Sequence, residues 1–534
     1  MDVVYQIVVV MPAVLLLIPA LISNALANRH LPNMRRFSAS ASAAALAMAL
    51  VAAGLLVARG PLDSIFVSTT SPLPLSFGVY FDSLAAVMTV LISSIGFVIV
   101  RYSLNYLEGE STQGRFLRWI MVTLGSVMLM VVSRNLVMFT ALWMMTSFSL
   151  HQLLTHYPER TWGIWAARKK FLISRLGDAF LIAALWLTWN TFGSLEFAQL
   201  FAAAQSMHDS GTSNGMTTLI GVLFAIGAMT KSAQVPFHSW LPDTMEMPTP
   251  VSALMHAGII NAGGFLVIRL SPLVTLSQLA MDLLLIVGAV TAVMGAVVMM
   301  TQTSIKRSLA YSTIAQMGFM MLQCGLGAFS VALLHIIAHA AYKAHAFLSC
   351  GSVLDRAAKI RVESTAPIRS ARLIASLLGS VAIAFIIAFG ASWLFGKLIE
   401  PPPGKAMLAV ILSLALAQLL WTGAQTWAMP VFLRAVGASL GVTIAYYSSL
   451  ALIDSVLGAS VSHHVTAASP WHSAIVWLVG AGFVAIFALV ALAMHYAHAP
   501  VVQRLYLHAA NAFYLETAAQ RMTAWIYRKP LPRY

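Results

Sequence analysis

Long apolar runs alternate with short polar connections from one end of this chain to the other. A run of about 18 residues suffices to carry a helix across a hydrocarbon core roughly 30 Å thick. By that measure about fifteen spans are predicted, near residues 4–24, 39–58, 80–104, 117–133, 136–156, 171–190, 217–240, 249–270, 276–300, 307–326, 329–353, 371–395, 406–426, 435–456 and 472–496. No connection is long enough to hold a soluble domain. In the longest, 191–216, "SLEFAQLFAAA" is patterned as a short amphipathic interfacial helix and "SGTSNG" as plain loop. Residues 500–534 alternate arginines with aromatic residues and are too polar to span, so they are expected on the membrane surface or against a partner. The pattern predicts an all-α polytopic membrane protein of about 14–15 transmembrane helices.

Composition agrees, with 60% hydrophobic and 9% charged residues among 534 and a mean hydropathy of +0.84, outside the soluble globular range. The first span follows Met1 and Asp2 without a basic region or a small-residue cleavage site, and is expected to stay as a helix. Cys324 and Cys350 lie in apolar runs without metal-ligand spacing, so no disulfide, metal or other cofactor is expected in this chain.

The net charge of +14 does not point to nucleic acid, because the basic residues are not gathered with aromatics on a soluble domain. They follow the connections instead. Alternate ones carry Arg29, Arg35 and Arg36; Arg115 and Arg118; Arg160, Arg168, Lys169 and Lys170; Lys306 and Arg307; then Arg356, Lys359, Arg361, Arg369 and Arg372. This asymmetry predicts that these loops and the tail are cytoplasmic and the N-terminus outside, with anionic lipid as a further attraction for the basic face.

Against this apolar background the ionisable residues inside spans stand out, since each costs about 2.5–3.5 kcal/mol near the bilayer centre. Lys231 lies about fourteen residues into the seventh span, too deep to reach water by snorkelling. Pro236 removes a backbone donor and frees the carbonyl of residue 232, so the helix is expected to break just after the lysine. Broken backbone at that depth is tolerated where it lines a watery cavity or is buried in protein. Asp243, Glu246 and His256 follow as groups able to line or cap that pocket. Alternatively, Lys231 is a helix staple paired with Asp178 or Asp243, and Asp243 and Glu246 belong to an interfacial turn anchored by Trp240. In "LLHIIAHAAYKAHAFL", His335, His339 and Lys343 recur every four residues and form a row on one helix face. Histidine changes charge near neutral pH, which makes the row a proton wire in outline. Haem is disfavoured, because axial histidines approach from opposite sides. Arg175 and Asp178, at i and i+3, can neutralise each other. Lys397, followed by prolines, echoes Lys231 and Pro236 as an internal repeat would.

The segments "TKSAQVPFHSWLPDTMEMPTPVSALMHAG", "TQTSIKRSLAYSTIAQMGFM" and "HIIAHAAYKAHAF" resemble the antiporter-like subunits shared by respiratory complex I, Mrp cation/proton antiporters and membrane-bound hydrogenases. The resemblance covers roughly residues 75–400. It implies two inverted five-helix repeats with broken helices and a central chain of lysines and histidines that moves protons. On it, Lys231 matches the broken-helix lysine, His256 the following histidine, His335, His339 and Lys343 the central relay, and Lys397 the distal lysine. The chain would divide into N-terminal helices 1–74, an ion-translocating core 75–400, C-terminal helices 401–499 and an amphipathic tail 500–534. Two positions depart from the family pattern. Met144 stands where a glutamate would pair with the broken-helix lysine, and Ser304 where "TDIKR" would have aspartate.

With a short C-terminal end, "HAGIINAGGFLVIRLSPL" and "NAFYLETAAQRMTAW", the chain is most similar to the membrane subunits of the DAB inorganic-carbon accumulation complex. That resemblance implies a bacterial inner-membrane protein that is itself no enzyme. It would pass H+ or Na+ and so energise CO2 hydration in a DabA-like partner subunit, whose zinc site is similar to that of a β-carbonic anhydrase. The alternatives are a pumping subunit of a complex I-type redox enzyme or Mrp antiporter, and a scaffold that carries no ions.

Overall fold

The computed structural model describes residues 2–68, 76–352, 370–395, 403–425, 428–461 and 469–528. In chain order the principal elements are α1 (Asp2–Leu17), α2 (Leu31–Arg59), β1 (Leu62–Ser68), β2 (Ser76–Phe81), α3 (Ser83–Tyr106), α4 (Gln113–Val131), α5 (Leu136–Leu154), α6 (Thr161–Phe192) and α7 (Phe197–Asp209). They continue with α8 (Gly215–Lys231), α9 (Thr249–Ala257), α10 (Ala262–Arg269), α11 (Gln278–Thr301), α12 (Ile305–Gly325) and α13 (Phe329–Leu348). The last are α14 (Ser370–Leu394), α15 (Pro403–Ala424), α16 (Met429–Leu457), α17 (Pro470–His495), α18 (Pro500–Ala510) and α19 (Leu515–Tyr527).

Thirteen helical segments among the described residues are long and apolar enough to cross a membrane. Two predicted spans fall short of that test, and both are nonetheless helices. α8 is cut to 17 residues by the break after Lys231, while α12 opens with Lys306, Arg307 and Ser308 and continues with Tyr311, Ser312, Thr313 and Gln316. The two helices least adapted to lipid are packed among others: α8 lies against α6, α10 and α11, and α12 against α11, α13 and α10.

The local rules of helix ends recur along the chain. Asp82 caps α3 by accepting from the Ala85 amide at 2.9 Å, and Asn135 caps α5 by accepting from Met138 at 2.8 Å. Asn214 and Thr217 form a reciprocal capping box at the start of α8. At the end of α6, Gly193 adopts the left-handed conformation (φ +66°) that terminates a 32-residue helix. The expected amphipathic helix in the 191–216 connection is α7, which buries Phe197, Leu200 and Ala204.

The described residues also contain a two-stranded sheet. β1 and β2 pair antiparallel between α2 and α3, from Leu62 opposite Phe81 to Ser68 opposite Ser76. Arg134 ties the hairpin to the next connection through ion pairs with Asp63 and Glu196. The hairpin lies on the face opposite the basic loops.

The break in the seventh span falls where Pro236 requires it. α8 ends at Lys231, and after a non-helical stretch the chain makes single turns at Phe237–Ser239, Trp240–Asp243 and Thr244–Glu246. Its freed backbone is not abandoned: the Val235 amide donates to Thr291 Oγ1 at 3.0 Å, and Ser232 Oγ donates to the Ile260 carbonyl at 2.6 Å. A second interruption, at Gly258, separates α9 from α10. Here α10 lies hard against α8, where a Cβ on Gly263 would sit 2.4 Å from the Ala228 carbonyl. α11 and α12 approach as closely at Gly288 and Gly318, in the manner of small-residue helix contacts in membranes.

α14 runs unbroken over Ser370–Leu394. Lys397, where the resemblance puts the distal lysine, lies outside the described residues. One side of the tail touches this chain's own core, α18 against α11 and α19 against α6, while Val501, Leu505, Leu507, Met522, Trp525 and Ile526 stay exposed on the other. Arg307 pairs with Glu516 at 2.8 Å, and the Arg168 guanidinium lies 5.5 Å from the centre of the Tyr527 ring.

Candidate functional site

Lys231 ends α8 with its ammonium inside the protein, 6% exposed. Neither carboxylate proposed as a staple reaches it. Nζ donates to Ser147 Oγ at 2.7 Å, lies 3.5 Å from the Trp143 carbonyl, and sits 4.5 Å from the centre of the Trp143 ring. All three groups are on α5, where Met144 occupies the place that a glutamate would take. The lysine is therefore held by a hydroxyl, a carbonyl and a π face, each neutral.

Asp178 and Asp243 are engaged elsewhere. Asp178 pairs with Arg175 at 2.6 Å across one turn of α6, as the i, i+3 spacing requires. Asp243 pairs with Lys169 at 2.5 Å, and that ammonium also lies 3.5 Å from the Ser239 carbonyl, so the pair braces the broken segment against α6. Glu246 does not join the site. Its side chain is exposed, and its carbonyl accepts from Arg160 at 2.7 Å.

Lys169 and Lys170 were expected in a basic loop. α6 begins at Thr161, so both lie more than two turns inside it and are buried, 1% and 3% exposed. Lys170 Nζ donates to the Ser147 carbonyl at 2.7 Å. Ser147 thus accepts two buried lysines, Lys170 on its backbone oxygen and Lys231 on its side chain. The triplet "RKK" reads as topology in the sequence, and only the start of α6 reveals otherwise.

The central row forms as predicted. His339 and Lys343 are buried on one face of α13, and the rings of His335 and His339 lie 6.0 Å apart. His335 Nδ1 meets Gln323 Oε1 at 3.1 Å. A cavity of about 350 Å³ runs along this face, lined by Ser312, Gln316, Gln323, His335, His339 and, from α16, Tyr446. It has room for several waters, and both ring nitrogens of His339 are without a partner among the described residues.

The row and His256 converge on α12. Lys343 Nζ donates to the Leu309 carbonyl at 3.0 Å, and Thr313 Oγ1 donates to the same oxygen at 3.0 Å. Thr313 Oγ1 also meets His256 Nδ1 at 3.0 Å, while the His256 ring stacks on Phe347 at 4.4 Å. Sequence reasoning named His256 and Lys343 separately; α12 joins them within one turn.

A buried pair absent from the sequence reading clamps the opposite face. Arg269, at the end of α10, donates to both Asp82 oxygens, at 2.7 and 3.0 Å. A further one joins α11 to α17, where His472 Nδ1 lies 2.5 Å from Asp282 Oδ1. Residues far apart in sequence meet in both, which is why spacing could not find them.

Comparisons with known proteins fit this arrangement. Residues 133–397 match the transmembrane family of NADH:quinone oxidoreductase and Mrp antiporters, and residues 66–117 match the N-terminal family of complex I chain 5. The chain is similar to "Probable inorganic carbon transporter subunit DabB2" of Halothiobacillus neapolitanus, 40% identical over 372 residues, covering 70% of this chain and 66% of the relative. With "Probable inorganic carbon transporter subunit DabB" of Hydrogenovibrio crunogenus it shares 43% identity over 285 residues, covering 53% of this chain and 54% of the relative. The matched region therefore spans between about half and two thirds of these relatives. The fold resembles a chain of the Mrp complex from Dietzia sp., with a TM-score of 0.60 at 24% identity, over 95% of this chain and 60% of that one. The broken span, the buried lysines and these matches together make the chain a member of the antiporter-like transmembrane family of NADH:quinone oxidoreductases and Mrp antiporters.

Proposed function

We propose that this chain is the cation-translocating membrane subunit of an inorganic-carbon accumulation system, with H+ as the coupling ion. The observation that carries the reading is the pair of buried lysines, Lys231 and Lys343, whose ammonium groups rest on neutral oxygens rather than on carboxylates. A buried lysine locked to a carboxylate is held in its charged form; one resting on hydroxyl and carbonyl groups can exchange a proton at lower cost. The cavity beside His335 and His339 supplies a wet stretch along which the proton would pass. Lys397 would continue the route.

The substrate class follows from the similarity to proteins named inorganic carbon transporter subunits. In this reading the catalytic step, hydration of CO2 to bicarbonate, takes place in a zinc-containing DabA-like partner at the cytoplasmic face of the bacterial inner membrane. The ion gradient passing through this chain would give that step its direction.

The test is uptake of labelled inorganic carbon by carbonic-anhydrase-deficient bacteria that express the chain with its neighbouring partner gene. Wild type should accumulate carbon, lose the ability on addition of a protonophore, and lose it in Lys231→Ala and Lys343→Ala although both variants assemble. Absence of uptake in wild type would favour the redox-pump or antiporter alternative. Undiminished uptake by both variants would make the chain a scaffold.

A further inference from the structure

The tail lies beyond the residues matched to the family, and α19 is built inside out. Its buried positions are Glu516 and Thr523, with Gln520 and Tyr527 half-buried beside them, whereas Met522, Trp525 and Ile526 face outward. A helix that turns a carboxylate inward needs a reason, since burying one without a partner is costly. Glu516 has two donors on α12: Tyr311 OH at 2.5 Å and Arg307 at 2.8 Å.

The place it grips matters. α12 starts without a side-chain cap, since Ser304 makes no capping bond and no acidic residue lies in the first turn. Such a start leaves amide donors and the positive end of the helix dipole unanswered. On the far flank of the same segment the Leu309 carbonyl accepts from Lys343, and Thr313 meets His256. The tail carboxylate and the central relay thus hold the segment 307–313 from two sides.

We propose that Glu516 is a positioning residue of the ion path: docked on Arg307 and Tyr311, it fixes the uncapped start of α12 and so keeps the acceptors of Lys343 and His256 in place. The inference rests on the ion-path reading above. Undocking the tail would loosen the relay without removing any of its residues, so the state of the tail sets the rate of ion passage.

The experiment uses inverted membrane vesicles containing the chain co-expressed with its neighbouring partner gene. A potassium diffusion potential drives the ion, H+ is followed with a ΔpH-sensitive dye and 22Na+ in parallel, and flux is normalised to assembled chain. Glu516→Ala should lower flux about tenfold, within the range expected of a coupling residue outside the path. Glu516→Gln keeps an oxygen that accepts from Tyr311 and Arg307, and should retain most of the flux. Adding Ser304→Asp to Glu516→Ala supplies a cap and a negative charge at the same helix end, and should recover flux several-fold although the tail carboxylate is absent. A tail that serves only as a tether would not respond to Ser304→Asp. If Glu516→Ala does not accumulate, Tyr311→Phe tests the same contact and should lower flux by about fivefold, the value of one hydrogen bond. Wild-type flux in Glu516→Ala or in Tyr311→Phe, with Lys343→Ala inactive, would overturn the proposal alone. Wild-type flux in Lys343→Ala would overturn the ion path beneath it.

Discussion

Arg269 and Lys231 are buried cations on adjoining, interrupted helices, yet they are held in opposite ways. Arg269 makes a two-pronged bond to the Asp82 carboxylate, whereas Lys231 rests on a serine hydroxyl and a tryptophan face. The first arrangement fixes a charge: the planar fork and the carboxylate satisfy each other, and neither partner gains by changing state. The second tolerates a charge without fixing it. Lys169 with Asp243 belongs to the first kind, and Lys343 on the Leu309 carbonyl to the second. On the proposed ion path, pairing with a carboxylate thus separates the buried charges that hold the helices together from those that would exchange.

The contrast is broken most severely by removing the arginine. Arg269→Met strands a buried carboxylate and should cost about 3–5 kcal/mol, visible as a lower unfolding temperature in detergent and less assembled protein. Combining it with Asp82→Leu, so that both charges go, should restore most of that loss. Lys231→Met should do the reverse, leaving assembly at or above wild type, because an unpaired ammonium is gone, while ion-driven uptake falls at least about tenfold, or 1.4 kcal/mol. Ser147→Ala removes one hydrogen bond from Lys231 but keeps the carbonyl that holds Lys170; a net loss of about 1 kcal/mol predicts uptake lowered roughly fivefold. Glu246→Gln changes an exposed side chain that touches neither set, and its stability should stay within about 0.5 kcal/mol of wild type.

What the sequence made legible was local. Lys231 followed by Pro236 announces a break, and the His335, His339, Lys343 spacing announces a helix face, because both depend on a few neighbouring residues. The β1–β2 pair escaped notice since its strands are short and the second merges into the apolar start of α3. Gly258 gave no proline-like warning of a second interruption. Lys170 was hidden by its company: beside Arg168 and Lys169 it reads as topology, and only the register of α6 buries it. Asp82 with Arg269 and Glu516 with Arg307 depend on the packing of distant segments, which no periodicity encodes. The family resemblance supplied the relay, and the structure supplied the oxygens on which it rests.

The most direct test compares the two cations in one assay: inorganic-carbon uptake per assembled chain for Lys231→Met and for Arg269→Met, each measured beside wild type. Lys231→Met should be present in normal amount and inactive, and Arg269→Met scarce but with wild-type uptake for each molecule that assembles. The opposite outcome, a Lys231→Met chain with full specific uptake and an Arg269→Met chain that assembles normally yet transports nothing, would contradict the division between charges that hold and charges that exchange.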